Sequence, residues 1–422
     1  MTRFCESQVK ELPCGEGQLA AIAREYGTPF HIYSESGIRD NIRRLQAAFA
    51  WNRGFREYFA VKANPNPYLL DIMRSEGCGV DCSSLAELVL ADAVGYRRED
   101  ILFSSNNTTR EEYAEAYRLG AIINVDDISH LDELHRLGQL SELLCFRYNP
   151  GQSGIGNALI GEPHEAKYGM TEAQLLQAVR WARDVGVQRI GLHTMVVSNE
   201  LSEDALVVTA EMMFTLAAKV QDICAVTVEM IDLGGGIGIP YRPSETAVSY
   251  ERYGERVRAL YERNLVAKGV GRPAIILECG RAITGPYGWL VTRAIRHKDT
   301  YKHYIGVDAS MADLMRPGMY GAYHHLSVLG ATSPANRRYD VVGSLCENND
   351  KFAIDRELPE IREGDILVIH DTGAHGYAMG FNYNGKLKSQ ELLLQGDGTV
   401  RCIRRAETLS DYFATLDYPG LP

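Results

Sequence analysis

No stretch of this 422-residue sequence approaches the roughly 18 consecutive apolar residues that a membrane-spanning helix needs. The opening segment, "MTRFCESQVKELP", has no signal-peptide core. A cytoplasmic protein with no membrane partner is therefore expected. A basic run is missing too, and the formal net charge is −11, which disfavours nucleic acid and anionic membrane as partners. Internal repeats, low-complexity tracts and long linkers are all lacking, which leaves ordinary folded domains. Paired cysteines are lacking as well. The nine cysteines, at 5, 14, 78, 82, 145, 224, 279, 346 and 402, are odd in number and scattered. They suit reduced thiols better than a disulfide framework. Cys78 and Cys82 in "GCGVDC" resemble half a metal site, but no second pair stands at zinc spacing, so no metal is expected.

What is present is an ordinary core composition, 45% hydrophobic with 23% charged residues. The length allows two domains, one of them a barrel of about 250 residues. Short apolar runs that end in polar residues alternate with helical patterns. The first, "YFAVKA", precedes a helix with Asn66 as N-cap and Pro67 at its first position, ending near Gly77. "GVDCSS" precedes a helix over 84–95, and "DILFSS" one over 109–119. "AIINVDD" precedes a helix capped by Ser129, and "LLCFRYNP" a loop and a helix over 171–185. "RIGLHTM" precedes a helix near 202–222, "EMIDLGGG" one over 249–267, and "AIILECGR" completes the set. Eight such strands point to a closed (β/α)8 barrel rather than an open doubly wound sheet. After about residue 285 strands follow one another with little helical periodicity, as in "GWLVTRAIRHK", "HYIGVDAS" and "DILVIHDTG". The expected division is a barrel over 30–285 and a β domain over 286–422, with residues 1–29 packed on the latter.

The strand ends carry Lys62, Asp81 with Ser83, Ser104 to Asn106, Asp126, Arg147 with Asn149, His193, Gly234 to Gly236, and Glu278 with Arg281. In a barrel these ends share the face on which active sites form, although solvated loops are polar too. Lys62 ends one apolar run, in "EYFAVKANPNPYLLDIM". It reads either as a surface lysine or as an amine held to form an imine. The glycines of "IDLGGGIGIPY" suit close approach of backbone amides to a phosphate. Ile239 stands where a dinucleotide fingerprint needs its third glycine. Glu278 and Arg281 flank Gly280 in "LECGRAITGPYG", either as a surface ion pair or as part of the same site. Lysine, phosphate cradle and carboxylate together are what pyridoxal phosphate (PLP) requires: an amine for its aldehyde, amides for its phosphate, and an acid beside its ring nitrogen.

Six ordered motifs, "FAVKANPNPYLL", "DLGGGIGIPY", "ECGR", "RPGMYGAYHH", "SLCENND" and "FNYNGKL", resemble the diaminopimelate decarboxylases, in the group of ornithine and arginine decarboxylases with an alanine-racemase-like PLP fold. The resemblance runs from about residue 25 to 405. It implies a PLP barrel, a C-terminal β domain and a homodimer with active sites at the subunit interface. By position, Lys62 is similar to the lysine that carries the cofactor, and Glu278 to the partner of the pyridine nitrogen. Gly235, Gly236, Gly280, Arg281 and Ser198 would bind the phosphate. Cys346 would return a proton from the partner subunit, and Arg281, Arg316, Tyr320 and Glu347 would bind substrate.

Two positions depart from the family's pattern. Where it has His-x-Gly-Ser, this chain has "MVVS", so Met195 replaces a ring-stacking imidazole; a thioether can still lie on an aromatic face. In "TGAHGYAMG", His375 stands where a phosphate-binding tyrosine is usual, and either His375 or Tyr377 could contact the phosphate. The expected activity is decarboxylation of meso-2,6-diaminopimelate to L-lysine, the last step of lysine biosynthesis. A related decarboxylase of ornithine, lysine or a carboxylated polyamine is the nearest alternative. A racemase is opposed by the acid at Glu278, and an inactive PLP-binding homologue by the intact Lys62, Glu278 and Cys346.

Overall fold

The computed structural model describes residues 10–138, 140–151, 162–332 and 334–422. Strand β1 (Phe30–Ser34) precedes eight strands that close into a parallel barrel: β2 (Arg56–Ala60), β3 (Gly79–Cys82), β4 (Ile101–Ser104), β5 (Ile122–Val125), β6 (Leu143–Tyr148), β7 (Arg189–Thr194), β8 (Val228–Asp232) and β9 (Ala274–Leu277). Closure comes from β2 pairing with β9, Arg56 opposite Ile276 and Glu57 opposite Leu277. Both faces of such strands are covered, which is why they read as continuous apolar runs rather than alternating ones.

Local chemistry sets the helices between them. Asn66 accepts the amide of Tyr68 at 3.1 Å and Pro67 occupies the first position of the helix Pro67–Ser75. Thr109 with Glu112, and Thr171 with Gln174, form reciprocal capping boxes at the helices Arg110–Leu119 and Glu172–Asp184. The expected cap at Ser129 differs. That residue precedes the helix His130–Arg136 but makes no side-chain cap, and its own amide donates instead to Asp127 Oδ1 at 2.9 Å.

Two compact units result. One comprises Arg39–Ile239 with Ala247–Ile283; the other comprises the chain up to Ile38, Pro240–Thr246 and Thr284–Pro422. The second is built on β10 (Gly288–Asp299), β11 (His303–Val307), β12 (Leu326–Val328), β13 (Arg337–Val342), β14 (Lys351–Leu358), β15 (Ile366–Ile369), β16 (Gln390–Leu394) and β17 (Val400–Arg404). Its sheet runs β14-β13-β11-β10-β1-β16-β17, with β15 on β10 and β12 on β15. Strand β1, placed by its sequence with the barrel, pairs instead with β10 (Phe30 opposite Val291) and β16 (Phe30 opposite Gln390). All five of its residues are buried. A short apolar run carries no mark of which sheet will complete its hydrogen bonds. Strands β12 and β14 escape the sequence reading because they are short or carry charge on one face.

Inside the barrel one layer is apolar. Tyr58, Leu102, Ile122, Leu143, Cys145, Met230 and Ile276 form a buried cluster. Two glycines make room for it. A Cβ on Gly79 would lie 2.5 Å from the Tyr58 ring, and one on Gly191 would lie 3.1 Å from Cys145 Sγ. Leu102 has no exposure in this layer. Leu102→Ala is expected to lower unfolding free energy by about 2–5 kcal/mol, measured by urea denaturation; a loss below about 1 kcal/mol would show the layer to be loosely packed.

Candidate active site at the carboxyl ends of the barrel strands

A strand returns its side chains to the same side every second residue. Two positions beyond the apolar layer therefore lies a second inward layer, and it is polar. Gly79 leads to Asp81, Leu102 to Ser104, Ile122 to Asn124, Cys145 to Arg147, Met230 to Asp232 and Ile276 to Glu278. Gly191 leads likewise to His193. Six of the eight strands thus end on a hydrogen-bonding or charged group at one level, and β9 supplies a seventh from the residue just past its end.

Lys62 stands in the single turn Val61–Ala63 that follows β2. Its side chain is 51% exposed and its Nζ lies 2.9 Å from Asp81 Oδ2, a carboxylate with no exposure. Burial of the amine works against its charge, but the Asp81 and Glu278 carboxyls outweigh it and raise the lysine above its ordinary range. Burial raises Asp81 in turn. Glu278 is only 7% exposed. Its Oε2 lies 3.4 Å from His193 Nε2. Burial pushes its carboxyl up, yet His193 and Lys62 prevail and hold it below the usual carboxylate range. Asn124 Nδ2 touches His193 Nδ1 and donates to Ser104 Oγ at 3.0 Å. Donation from the amide into Nδ1 leaves the ring proton on Nε2, facing Glu278.

Gly234, Gly235 and Gly236 turn the chain sharply after β8. Gly234 and Gly236 have φ of 71° and 88°, the left-handed region that side chains disfavour. A Cβ on Gly235 would stand 2.4 Å from the Glu278 carbonyl oxygen. The loop is pinned by Glu278 N–H donating to the Gly234 carbonyl at 2.9 Å and Glu200 N–H donating to the Gly236 carbonyl at 2.8 Å. None of these bonds uses the amides of Gly235 and Gly236. Gly280 is equally confined, since a Cβ there would lie 2.5 Å from that of Ala63, next to Lys62. The half-buried Met195 has its sulfur beside Gly234, and it lines a small cavity with Arg147, Pro163 and Tyr168.

The sequence-expected residues fall into two groups. Lys62, Met195, Ser198, Gly235, Gly236, Glu278, Gly280 and Arg281 lie in the barrel unit; Arg316, Tyr320, Cys346, Glu347, His375 and Tyr377 lie in the β unit. Arg316 is 5% exposed. Its Nη1 donates to Tyr241 Oη at 2.7 Å and to His324 Nε2 at 3.1 Å. Tyr320 is exposed at the end of the same short helix, Arg316–Tyr320. Cys346 is exposed, in a turn braced by Asp350, which accepts the amides of Leu345 and Met311, each at 2.9 Å. Glu347 Oε1 accepts the amide of Asn349 at 2.9 Å. His375 is half-buried with φ of 55°. The Tyr377 ring is engaged in packing, with Lys388 Nζ 4.0 Å and the Arg404 guanidinium 4.9 Å from its centre.

Sequence reading missed Asn124, Asp232 and Glu57, all buried polar groups of the barrel strands. The period-two count from the apolar layer would have found the first two. Glu57 lies beside a strand pair that only closure creates: its Oε1 accepts the amide of Cys279 at 2.7 Å. His130 is half-buried, with its Nδ1 2.9 Å from Tyr113 Oη. Cys78 and Cys82 are buried thiols.

The donor set fits PLP. An accessible amine, a glycine turn with unused amides that no side chain could enter, and a buried carboxylate with its Oε1 lacking a protein partner meet at one end of the barrel. A closed parallel barrel with this arrangement defines a PLP-dependent enzyme. Residues 35–285 match the family described as pyridoxal-dependent decarboxylase, pyridoxal binding domain. The chain belongs to that family: it is a PLP-dependent amino-acid decarboxylase, with PLP as its cofactor. It is 43% identical over 400 residues to Protein TabA of Pseudomonas amygdali pv. tabaci, covering 95% of this chain and 94% of that one. It is 35% identical over 419 residues to the diaminopimelate decarboxylase of Methanothermobacter thermautotrophicus, covering 96% and 95%. The crystal structure of diaminopimelate decarboxylase from M. jannaschii in co-complex with L-lysine superposes with a TM-score of 0.88 at 28% identity, covering 95% and 94%. Among the described residues no helix is long and apolar enough to cross a membrane.

Gly235→Ala tests the cradle. Its methyl must displace the Glu278 backbone, at a cost of about 1–3 kcal/mol in stability. PLP affinity, measured by equilibrium dialysis, is expected to fall at least about tenfold as the amides shift. Unchanged affinity would show that the phosphate is held elsewhere.

Proposed function

We propose that the chain decarboxylates meso-2,6-diaminopimelate to L-lysine and carbon dioxide, the last step of lysine biosynthesis, as a cytoplasmic homodimer. The observation that carries the substrate choice is Arg316: a guanidinium only 5% exposed and oriented by a phenol and an imidazole. Guanidinium is the group that grips a carboxylate through paired hydrogen bonds, and fixing it beforehand reduces the entropy lost on binding. The similarity to named diaminopimelate decarboxylases over nearly the whole chain supports the same choice.

When bound, PLP supplies an aldehyde for the substrate amine and a ring that accepts electrons from the α-carbon. Lys62 would hold the cofactor through its amine. Asp81, 2.9 Å from that amine, would keep it oriented and charged whenever it is not so engaged. Glu278 holds a proton on the ring nitrogen, which strengthens the electron sink. Amides of Gly235 and Gly236, the backbone of Gly280 and Arg281, and Ser198 hold the phosphate. His375 or Tyr377 would contact the phosphate as well. The Cα–carboxyl bond breaks, carbon dioxide leaves, and a proton from Cys346 or Lys62 takes its position. Arg281, Arg316 and Tyr320 receive the distal carboxylate, and Glu347 the distal ammonium.

A second reading, a decarboxylase for another dicarboxylic diamine, is favoured by Met195. Its thioether lines the cavity beside Gly234 where the family has an imidazole, and the chain is more alike to Protein TabA than to the diaminopimelate decarboxylases compared above.

A panel of candidate amino acids, assayed for carbon dioxide and product, decides between them. Meso-diaminopimelate is expected to exceed ornithine and lysine in kcat/KM by roughly 10⁴, since a site built to pair a charged group rejects analogues lacking it. Arg316→Met should narrow the gap by damaging diaminopimelate turnover. Ornithine or lysine turned over as well as diaminopimelate would refute the substrate. Mixing inactive Lys62→Ala with inactive Cys346→Ala protein should restore activity through hybrid dimers. No recovery after demonstrated subunit exchange would show that each chain builds its own site.

A further inference from the structure

Three buried polar atoms meet in the upper layer of the barrel with no well-aligned hydrogen bond: His193 Nε2, which lies 3.4 Å from Glu278 Oε2, Asp232 Oδ2 and Glu278 Oε1. His193, Asp232 and Glu278 each place one nitrogen or oxygen within 4.8 Å of the other two. Asp232 has no exposure, and its other oxygen, Oδ1, accepts the amide of Gly234 at 2.8 Å. A carboxyl oxygen of Asp232 approaches one of Glu278 to within 4.8 Å, and both side chains are buried. Two ionised carboxylates cannot lie so close away from water, so one of them holds a proton.

Geometry decides which. Glu278 faces the ring N–H of His193 and lies within the field of Lys62, whereas Asp232 has only one backbone amide. We infer that Asp232 is a positioning residue that carries its proton on Oδ2 and donates it in a hydrogen bond to Glu278, leaving Glu278 as the ionised member. The titratable groups facing Asp232 are mainly acids, whose charge raises it, while His193 opposes them. They are Glu278 and Cys279 past β9, Asp81 of β3, Tyr58 of β2, Cys145 of β6 and His193 of β7, and burial together with the Glu278 charge raises Asp232 far above the ordinary carboxylate range. The consequence reaches the cofactor. A carboxylate that already accepts from Asp232 and His193 is a weaker base, so a proton shared with the pyridine nitrogen resides on the nitrogen. This inference rests on the assignment of Glu278 to that nitrogen. It also gives Asp232 a second task, since the same side chain anchors Gly234 at the start of the phosphate loop.

Asp232→Asn mimics the protonated acid, with an amide N–H toward Glu278 and a carbonyl toward Gly234 N–H. Infrared spectra of the PLP-loaded wild type minus Asp232→Asn at neutral pH should show the carbonyl stretch of a protonated carboxyl. Asp232→Asn should retain kcat/KM within about threefold, while Asp232→Ala should lose at least about tenfold and shift the pH at which the cofactor absorption changes. Absence of the protonated-carboxyl band would overturn the inference. So would Asn as damaging as Ala, or a stoichiometric divalent ion in the purified protein that Asp232→Asn loses, since that would make the three residues a metal site. If Asp232→Ala does not fold, the infrared difference decides alone. Neither the band nor the absorption profile depends on substrate identity, so failure of the diaminopimelate reading leaves this result standing.

Discussion

The structure depends on placing more acid than base in a space without water. Glu57, Asp81, Asp232 and Glu278 are all buried in or beside the upper half of the barrel, and Lys62 is the ammonium among them. Bringing an ionised carboxylate into such a space costs several kcal/mol unless it is paired or neutralised. Each acid is handled differently. Asp81 has the lysine, Glu278 has an imidazole N–H and the lysine's field, and burial drives Glu57 and Asp232 toward their neutral forms. An apolar layer of seven residues beneath them seals the lower end of the barrel, which keeps the dielectric low and the differences sharp.

Function follows from that inequality. Decarboxylation needs an amine that can be exchanged, a carboxylate that stays ionised, and a donor that can return a proton. The barrel supplies the first two because seven of its eight strands present a polar residue at one level, with Lys62 just past the eighth. The glycine turn after β8 adds the fourth requirement, backbone amides at the surface of the layer. Its fit is steric rather than electrostatic: the carbonyls of Thr194, Glu278 and Val197 stand 2.4–2.5 Å from where side chains on Gly234, Gly235 and Gly236 would begin. The β unit is organised on another principle. Its functional candidates sit on turns and one short helix, fixed by Asp350 at one place and by Tyr241 and His324 at another.

Much of this was legible in the sequence. Eight apolar runs with polar ends determined the barrel, because a parallel strand covered on both sides must be apolar throughout and its exit must be polar. Lys62, Glu278 and the glycine run were marked by their positions at those exits, and the six ordered motifs gave the family. Tertiary structure alone decided the rest. Strand β1 went to the β sheet because its hydrogen-bond partners, β10 and β16, lie some 260 and 360 residues further along the chain. Asp232 and Asn124 gained their meaning only when closure set β5, β7, β8 and β9 around one axis, bringing residues from distant strands within hydrogen-bond reach. The residue types were written in the chain, but a pKa is a property of the neighbours, and those neighbours exist only in the closed barrel.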